Sequence, residues 1–365
     1  MVFTTDQDDG SWSIVSQVRQ SSPVDTTAPY STTSLSGKTI LITGGASGFG
    51  AAFARHWASF GSHIFIGDVN DSLGHALVAE LRTAYPTQTF HHHHCDVTSW
   101  TDQLSLFKFA VANSPTGGIE GVVAAAGVVD MDNSFDSPRR NGSKTENSEP
   151  EEPMLKVLEV NLTGVAYTVH LAMFYLPRNG TGRDRHILLV SSIAGIAPLP
   201  GQTEYTASKH GVMGLFRALR GTSWTRGVRV NCVNPYFVDT PLLPASGIAL
   251  LAGAPKAELG DVVDAATRLM ADEGIRGRAL VVGPKMRVVE GGDGVTRLVA
   301  EAPTNPGGEG ERVQAVWEVY AEDFERVESF VWRYVGMMNV MKSLAGWVGV
   351  VRDLWGIYVL GKKAR

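Results

Sequence analysis

The chain has 365 residues, of which 44% are hydrophobic and 19% are charged, with a formal net charge of −5. This apolar fraction excludes a wholly disordered chain, and the mild negative charge gives no electrostatic footprint for nucleic acid. The two cysteines, Cys95 and Cys232, cannot build a disulfide framework, so we expect a reducing compartment, the cytoplasm.

Short apolar runs rich in β-branched residues predict buried parallel strands. They lie at 39–43, 63–67, 89–95, 121–126, 186–190, 228–233 and 279–282. Between several of them, apolar residues recur at helical spacing. These helical stretches are 48–60, 71–84, 152–176 and 204–222. The alternation predicts an α/β fold, a Rossmann-like doubly wound parallel sheet of about seven strands, over residues 37–284.

Two segments fall outside this alternation. Residues 1–36 carry early aspartates and no apolar stretch, so we expect a flexible N-terminal tail and no signal peptide. Residues 130–153 are rich in Asn, Ser, Pro and charge, which predicts a surface insertion.

The C-terminal residues 285–365 predict a helical extension. Residues 311–342 are amphipathic at helical spacing, and residues 344–360 are richly apolar but interrupted by charges and glycines, which disfavours a spanning helix. Three interpretations remain open: a helix packed on the core or on a second subunit, a lid over a cleft, or a helix at a membrane surface.

A glycine-rich turn, Thr43-Gly-Gly-Ala-Ser-Gly-Phe-Gly50, joins the first predicted strand to the first predicted helix. Glycines there allow a tight turn and a close backbone approach to a pyrophosphate, whose charge then lies at the helix N-terminus. A purely structural turn is the alternative. The predicted dinucleotide contacts are Gly44, Ser47, Gly48, Phe49 and Gly50.

Asp68 ends the next predicted strand. A carboxylate at this place accepts hydrogen bonds from ribose hydroxyls and repels a 2′-phosphate, which favours NAD over NADP. A helix N-cap role for Asp68 is compatible with this interpretation.

Tyr205 and Lys209 are four residues apart in a predicted helix and therefore share one face. An ammonium group near a phenol favours the phenolate and lowers the phenol pKa. Such a tyrosine can move a proton to or from a hydroxyl group near neutral pH.

These motifs together resemble the classical short-chain dehydrogenase/reductase (SDR) family over about residues 37–243. The family's TGxxxGxG turn is matched from Thr43 to Gly50, and its Tyr-x-x-x-Lys motif by Tyr205 and Lys209. Ser192 stands 13 residues before the tyrosine, where the family has its catalytic serine.

The resemblance implies further site residues. Asn161 matches the family's catalytic asparagine, which would hold a water linking Lys209 to solvent. Further cofactor contacts implied by the resemblance are Asp96, Val97, Gly127, Tyr205, Lys209, Pro235, Val238 and Thr240, with Lys209 holding the nicotinamide ribose. Two positions depart from the family pattern: Ala125 replaces an asparagine after the fourth strand, which weakens local bonding, and Tyr236 replaces a glycine beside the cofactor.

The resemblance implies an NAD(H)-dependent oxidoreductase that oxidises a secondary alcohol or reduces a ketone of an apolar small molecule. Tyr205 is then the acid/base, assisted by Lys209, Ser192 and Asn161. The insertion and the C-terminal extension are similar to those of fungal members of secondary metabolism, and the family habit implies a homodimer. A non-catalytic dinucleotide-binding scaffold or sensor, and a redox-neutral or multi-step reaction on a polyketide-like ring, are the alternatives.

The run His91–His94 suggests a metal site by composition. In an extended strand, however, consecutive side chains alternate between faces, so four adjacent imidazoles cannot converge on one ion. We therefore expect no metal site.

Overall fold

Only part of the chain is described by the computed structural model. Of the insertion predicted at 130–153, only residues 152 and 153 belong to that part. The described residues are 18–129, 152–180, 182–242, 253–291, 296–299, 311–321, 323, 334–341, 344 and 355.

Strand β1 (Thr39–Thr43) shows how the core is organised, because it is buried at every position. Ile40 and Ile42 join one hydrophobic cluster and Leu41 joins the other, as the pleat of a strand requires when both sheet faces are covered. The other strands are β2 His63–Asp68, β3 Phe90–His94, β4 Gly121–Ala124, β5 His186–Val190, β6 Arg229–Pro235, β7 Ala279–Glu290, β8 Thr296–Leu298 and β9 Glu311–Val319.

Six helices cover the two faces of this sheet. They are α1 Gly48–Ser59, α2 Asp71–Ala84, α3 Trp100–Asn113, α4 Lys156–Arg178, α5 Thr203–Arg220 and α6 Leu259–Ala271. Helices α1, α2 and α6 supply one hydrophobic cluster, and α3, α4 and α5 supply the other. Helices α3 and α6 were not among the predicted elements. Residues 334–341 form a further short helix, α7.

The sheet order is β3-β2-β1-β4-β5-β6-β7, and all of these pairs are parallel. The seven predicted strands and the doubly wound fold are therefore confirmed. Strand order reverses between β1 and β4, and ligands of such sheets bind in the crevice at the carboxyl ends of the strands beside that reversal.

The predicted helix from residue 311 is wrong over its first part, because Glu311–Val319 is strand β9. It pairs antiparallel with β7, from Ala279 opposite Val319 to Val289 opposite Glu311. Polar and apolar side chains alternate from Arg312 to Ala315 and again from Trp317 to Val319, a period of two that fits a strand, while the amphipathic spacing also fits a helix. Backbone pairing with the long strand β7 selects the strand over the helix for this segment.

Part of the predicted N-terminal tail lies along this new sheet edge. The Val24 backbone N–H donates to Glu318 Oε2 at 2.7 Å, and Thr26 Oγ1 donates to the Val316 carbonyl at 3.1 Å. The Tyr30 hydroxyl donates to Asp264 Oδ1 on α6 at 2.7 Å. Residues 18–36 therefore join β9 to α6, and residues 1–17 are not described.

Helix α4 is, among the described residues, the one helix that is long and apolar enough to cross a membrane by length and composition. Half of its apolar window is buried inside the fold, and it packs against α3 and β4. Its apolar sequence is thus accounted for by packing in the core.

The ion pair between Arg278 and Glu318 gives a test of how β9 is held. The two side chains are 3% and 10% exposed, with a distance of 3.0 Å between Arg278 Nη1 and Glu318 Oε1. We expect Arg278→Met to lower the free energy of unfolding by roughly 3 kcal/mol, because it leaves a buried carboxylate without its cation.

The control is Arg312→Met, which removes a more exposed ion pair with Glu290 at the same sheet edge. It should change the free energy of unfolding by less than about 1 kcal/mol. Urea denaturation measures both variants, and equal effects would contradict the assigned role of Arg278.

Candidate active site

The glycine turn after β1 is shaped by a close approach to the loop after β4. Gly44 has a φ of +67°, and a Cβ built on it would lie 2.4 Å from Ala126 Cα. A Cβ on Gly50 would lie 2.3 Å from the Gly44 carbonyl oxygen. Only glycine fits at these two positions.

The end of α1 at this turn is open to an anion. Ser47 is the N-cap residue of α1 but makes no side-chain cap, and the first turn carries no acidic residue. Gly48 has a φ of +51° with open space around its missing Cβ. Unoccupied N–H groups and the helix dipole therefore suit a phosphate group at this point.

Asp68 lies beside this turn at the end of β2. Its Oδ2 accepts from the Ala46 backbone N–H at 2.9 Å, and its Oδ1 accepts from the Asn70 N–H at 2.9 Å. The N-cap of α2 is Asn70, whose Oδ1 accepts from the Leu73 N–H at 3.0 Å. The alternative role of Asp68 as helix cap is thus taken by Asn70.

Asp96 and Val97 follow β3, and their positions are fixed by hydrogen bonds that the sequence analysis did not predict. Thr98 donates to Asp96 Oδ1 through its N–H and its hydroxyl, and these bonds lower the pKa of Asp96. The buried Gln103 amide of α3 donates to the Val97 carbonyl at 2.6 Å and to the Gly164 carbonyl at 2.8 Å. A lone glutamine has no sequence signature for such a contact.

Asn161 is fully buried in a π-helical stretch of α4, Glu159–Gly164. Its Oδ1 accepts from the Val128 N–H at 2.8 Å, and its Nδ2 donates to the Val128 carbonyl at 2.8 Å and to Ser208 Oγ at 3.2 Å. Both amide donors are therefore used, and the side chain positions the loop after β4. Val128 was not predicted as a partner.

Ser192, Tyr205 and Lys209 come together at the ends of β5 and α5. The Ser192 hydroxyl hydrogen-bonds to the Tyr205 phenol, and its oxygen accepts from the Ala194 N–H at 3.1 Å. Lys209 Nζ lies 5.6 Å from the centre of the Tyr205 ring and donates to the Val190 carbonyl at 3.3 Å. The predicted set thus forms one cluster.

Burial governs the protonation of this cluster. The Tyr205 side chain keeps partial contact with solvent, but surrounding protein raises the pKa of its phenol above the ordinary 10.0, and the Ser192 hydrogen bond opposes this rise. Burial lowers the pKa of Lys209 from 10.5 to about 8. The depressed tyrosine pKa expected from Lys209 is therefore not found, because desolvation outweighs the distant ammonium.

Gly127 faces this cluster from the loop after β4. A Cβ on it would lie 3.4 Å from Asn161 Oδ1 and 3.7 Å from Lys209 Nζ. The neighbouring Ala125 lacks the family's amide, and its backbone N–H donates to the Thr43 carbonyl at 3.2 Å. Backbone bonding thus connects β1 and β4 where the side chain is absent.

Pro235, Val238 and Thr240 stand at and after the end of β6, on the same sheet edge. Val238 is buried, and Thr240 is partly exposed. Tyr236 packs edge-on against Phe237, with ring centres 4.9 Å apart, and its N–H donates to the Val282 carbonyl at 2.8 Å. The larger Tyr236 side chain also packs against the hydrophobic core.

Three histidines of the run contact two different side chains, and two of them share one carboxylate oxygen. His92 Nε2 and His94 Nδ1 lie 2.9 and 3.0 Å from Asp71 Oδ1, while His93 lies 3.0 Å from Ser105 Oγ. No group of three metal-ligating side chains is found within the described ranges.

Comparison with known proteins places this arrangement in a family. Residues 38–247 match the family described as short chain dehydrogenase. The chain belongs to the short-chain dehydrogenase family. It is therefore an oxidoreductase of a family that uses a nicotinamide dinucleotide.

Individual relatives extend over most of the chain. It is 37% identical over 284 residues to 5′-hydroxyaverantin dehydrogenase of Emericella nidulans, covering 72% of this chain and 89% of that protein. It is 32% identical over 260 residues to an NADP-dependent dehydrogenase of a Phoma species, covering 67% and 74%. Among solved structures, 3-ketoacyl-(acyl-carrier-protein) reductase from Brucella melitensis, complexed with NADH, has a TM-score of 0.56 and 26% identity, covering 68% of this chain and 97% of that one.

The buried Lys209 gives a test of how much a desolvated ammonium lowers the stability of the fold. Its pKa is lower in the folded state than in the unfolded state, so the folded protein bears the cost of a buried ammonium below about pH 8. We expect Lys209→Met to raise the free energy of unfolding by about 1 to 3 kcal/mol at pH 7.

The difference between this variant and the wild type should shrink as the pH rises from about 8 to 10.5, because folding then releases the lysine proton. Urea denaturation at pH 7 and pH 10 measures this. A difference that does not change with pH would rule out burial of the charge as its cause.

Proposed function

We propose that the protein transfers a hydride between NAD(H) and a secondary alcohol or ketone, with Tyr205 as the acid/base. The observation that carries this proposal is the Ser192–Tyr205 hydrogen bond with Lys209 buried beside the tyrosine ring. These three groups supply a proton donor, a hydroxyl that polarises a carbonyl, and a cation that stabilises a phenolate.

The residues present fit a nicotinamide dinucleotide. The free first turn of α1 suits the pyrophosphate, Asp68 suits the adenine ribose, and Asp96 and Val97 flank the neighbouring strand end. Pro235, Val238 and Thr240 would line the nicotinamide end. When bound, the nicotinamide ring supplies or accepts the hydride.

The protein's own groups then manage the proton. With its raised pKa the Tyr205 phenol is protonated at neutral pH, the form that donates to a carbonyl oxygen during reduction. Lys209, with a pKa near 8, is largely cationic at pH 7 and stabilises the phenolate that remains. In alcohol oxidation, the substrate proton passes to Tyr205 in the opposite direction.

Asn161 contributes by placement. It holds the Val128 backbone, and its Oδ1 lies on the same side of Gly127 as Lys209 Nζ. We propose that the water linking Lys209 to solvent donates a hydrogen bond to a carbonyl oxygen of Asn161, since both N–H donors of the side-chain amide are already used.

Tyr205→Phe tests the acid/base role. We expect turnover of hydrophobic secondary alcohols with NAD to fall by about 10² to 10⁴-fold, because the proton acceptor is lost. NADH binding, measured by fluorescence, should stay near that of the wild type. Tyr175→Phe, whose ring stacks on Phe107 away from the site, is the matched control.

Turnover by Tyr205→Phe at the rate of the wild type would refute the acid/base assignment. A wild-type protein that binds NADH but turns over no alcohol or ketone in a broad panel would favour the non-catalytic scaffold.

We propose NAD as the preferred cofactor. The Asp68 carboxylate is fixed at the glycine turn, and neither that turn nor the two residues after Asp68 contain a Lys or Arg that could pair with a 2′-phosphate.

Asp68→Asn should lower the ratio of kcat/KM for NAD to that for NADP by roughly tenfold or more, because a charge-assisted hydrogen bond and a repulsion are removed together. Asp96→Asn, at the neighbouring strand end, should weaken the binding of NAD and of NADP by the same factor. A wild type that uses NADP better than NAD would contradict the proposal for Asp68.

For the substrate we propose an apolar molecule of fungal secondary metabolism that bears a secondary hydroxyl or ketone. The similarity to 5′-hydroxyaverantin dehydrogenase over 72% of the chain supports this class.

For assembly we propose a homodimer through α3 and α4, where Trp100 and Phe174 are exposed. Sedimentation should then give twice the chain mass of 39.2 kDa, and a single-chain mass would contradict the dimer.

A further inference from the structure

A pocket of about 310 Å³ lies at the amino ends of the strands, on the side of the sheet opposite the candidate active site. The residues that line it precede β5, β6 and β7, whereas the active-site residues follow the carboxyl ends of parallel strands. Parallel strands place these two sets at opposite edges. The pocket is lined by six arginines: Arg19, Arg183, Arg185, Arg220, Arg229 and Arg276.

Three of these arginines have carboxylate partners. Arg229 pairs with Asp184 at 2.7 Å, Arg220 pairs with Asp323 at 2.6 Å, and Arg183 pairs with Glu120. These charges are balanced within the fold.

The carboxylates at the pocket are already engaged. Asp184 also accepts from Lys38 Nζ at 2.7 Å, and Glu273 lies 2.9 Å from the same ammonium. Within the described ranges, Arg19, Arg185 and Arg276 have no carboxylate partner, so the pocket carries an excess of positive charge.

Two buried donors at the pocket also have no partner in the described part of the chain. They are Arg185 Nε and Trp224 Nε1, and both residues line the pocket. A buried N–H without an acceptor is destabilising, so such groups in a folded protein point to a missing partner.

The backbone holds this arrangement in place. Arg19 has a φ of +50°, which is uncommon for a residue other than glycine, and its guanidinium lies 4.5 Å from the centre of the Trp224 ring. Gly227 has a φ of +69°, and a Cβ there would lie 2.8 Å from Arg185 Nη1. Arg185 Nη2 donates to the Asn179 carbonyl at 2.7 Å, which fixes the other side of its guanidinium.

We propose that this pocket binds a phosphate group, either as inorganic phosphate or as the phosphate of a small metabolite. In the described part of the chain, three guanidinium groups at the pocket have no carboxylate partner, and the Trp224 N–H has no acceptor. This set of donors suits a dianion with several acceptor oxygens. A single carboxylate offers one charge and two oxygens and would leave part of this set unmatched.

Isothermal titration of the full chain at low ionic strength tests the proposal. Saturating NAD keeps the phosphate site of the cofactor occupied, so that the titration with inorganic phosphate, and separately with phenyl phosphate, measures this pocket. We expect binding, and we expect Arg185→Gln and Arg276→Gln each to weaken it by about tenfold. Binding of both ligands indicates a site open to phosphate esters, and binding of inorganic phosphate alone indicates a closed one.

The matched control is Arg226→Gln. Arg226 is exposed and precedes Gly227 in the chain, but it does not line the pocket. It should leave the affinity within about twofold, since screened surface charge contributes little. The proposal is overturned if the wild type shows no dissociation constant below about 10 mM, if all three variants lose affinity equally, or if acetate binds as tightly as phosphate. NADH binding in each variant shows that the fold and the cofactor site are intact.

Discussion

The candidate active site depends on the paired hydrogen bonds between the Asn161 amide and the Val128 backbone. Both bonds are 2.8 Å long, and the Asn161 side chain that makes them is fully buried. They join helix α4 to the loop after β4, and that loop carries Gly127 in front of Lys209. The same amide reaches Ser208 on helix α5. One side chain thus sets the relative positions of three elements at the strand-order reversal.

Desolvation is the second constraint, and it acts in opposite directions on two neighbours. The surrounding protein raises the pKa of Tyr205 above its ordinary 10.0 and lowers that of Lys209 from 10.5 to about 8, so the two values lie further apart than in water. The fold bears the cost of the buried ammonium, which is why removal of Lys209 is expected to stabilise the protein.

The two ends of the chain are joined at the far side of the sheet. Strand β9 covers the edge of β7, and residues 18–36 in turn run along β9 and α6. An uncovered β7 would present a row of unpaired backbone groups to other chains. The extension that sequence analysis left as core helix, lid or membrane helix is therefore, over Glu311–Val319, an additional strand of the sheet.

The sequence alone determined the seven parallel strands, the glycine turn and the spacing of Ser192, Tyr205 and Lys209, because each depends on local patterns or on positions within one element. It could not determine β9, since an amphipathic segment suits a strand or a helix until a partner strand is available. The Asn161–Val128 bonds, the Gln103 contacts and the lysine pKa were likewise decided only by tertiary structure. Hydrogen-bond partners and burial depend on residues distant in the chain, and no local pattern records them.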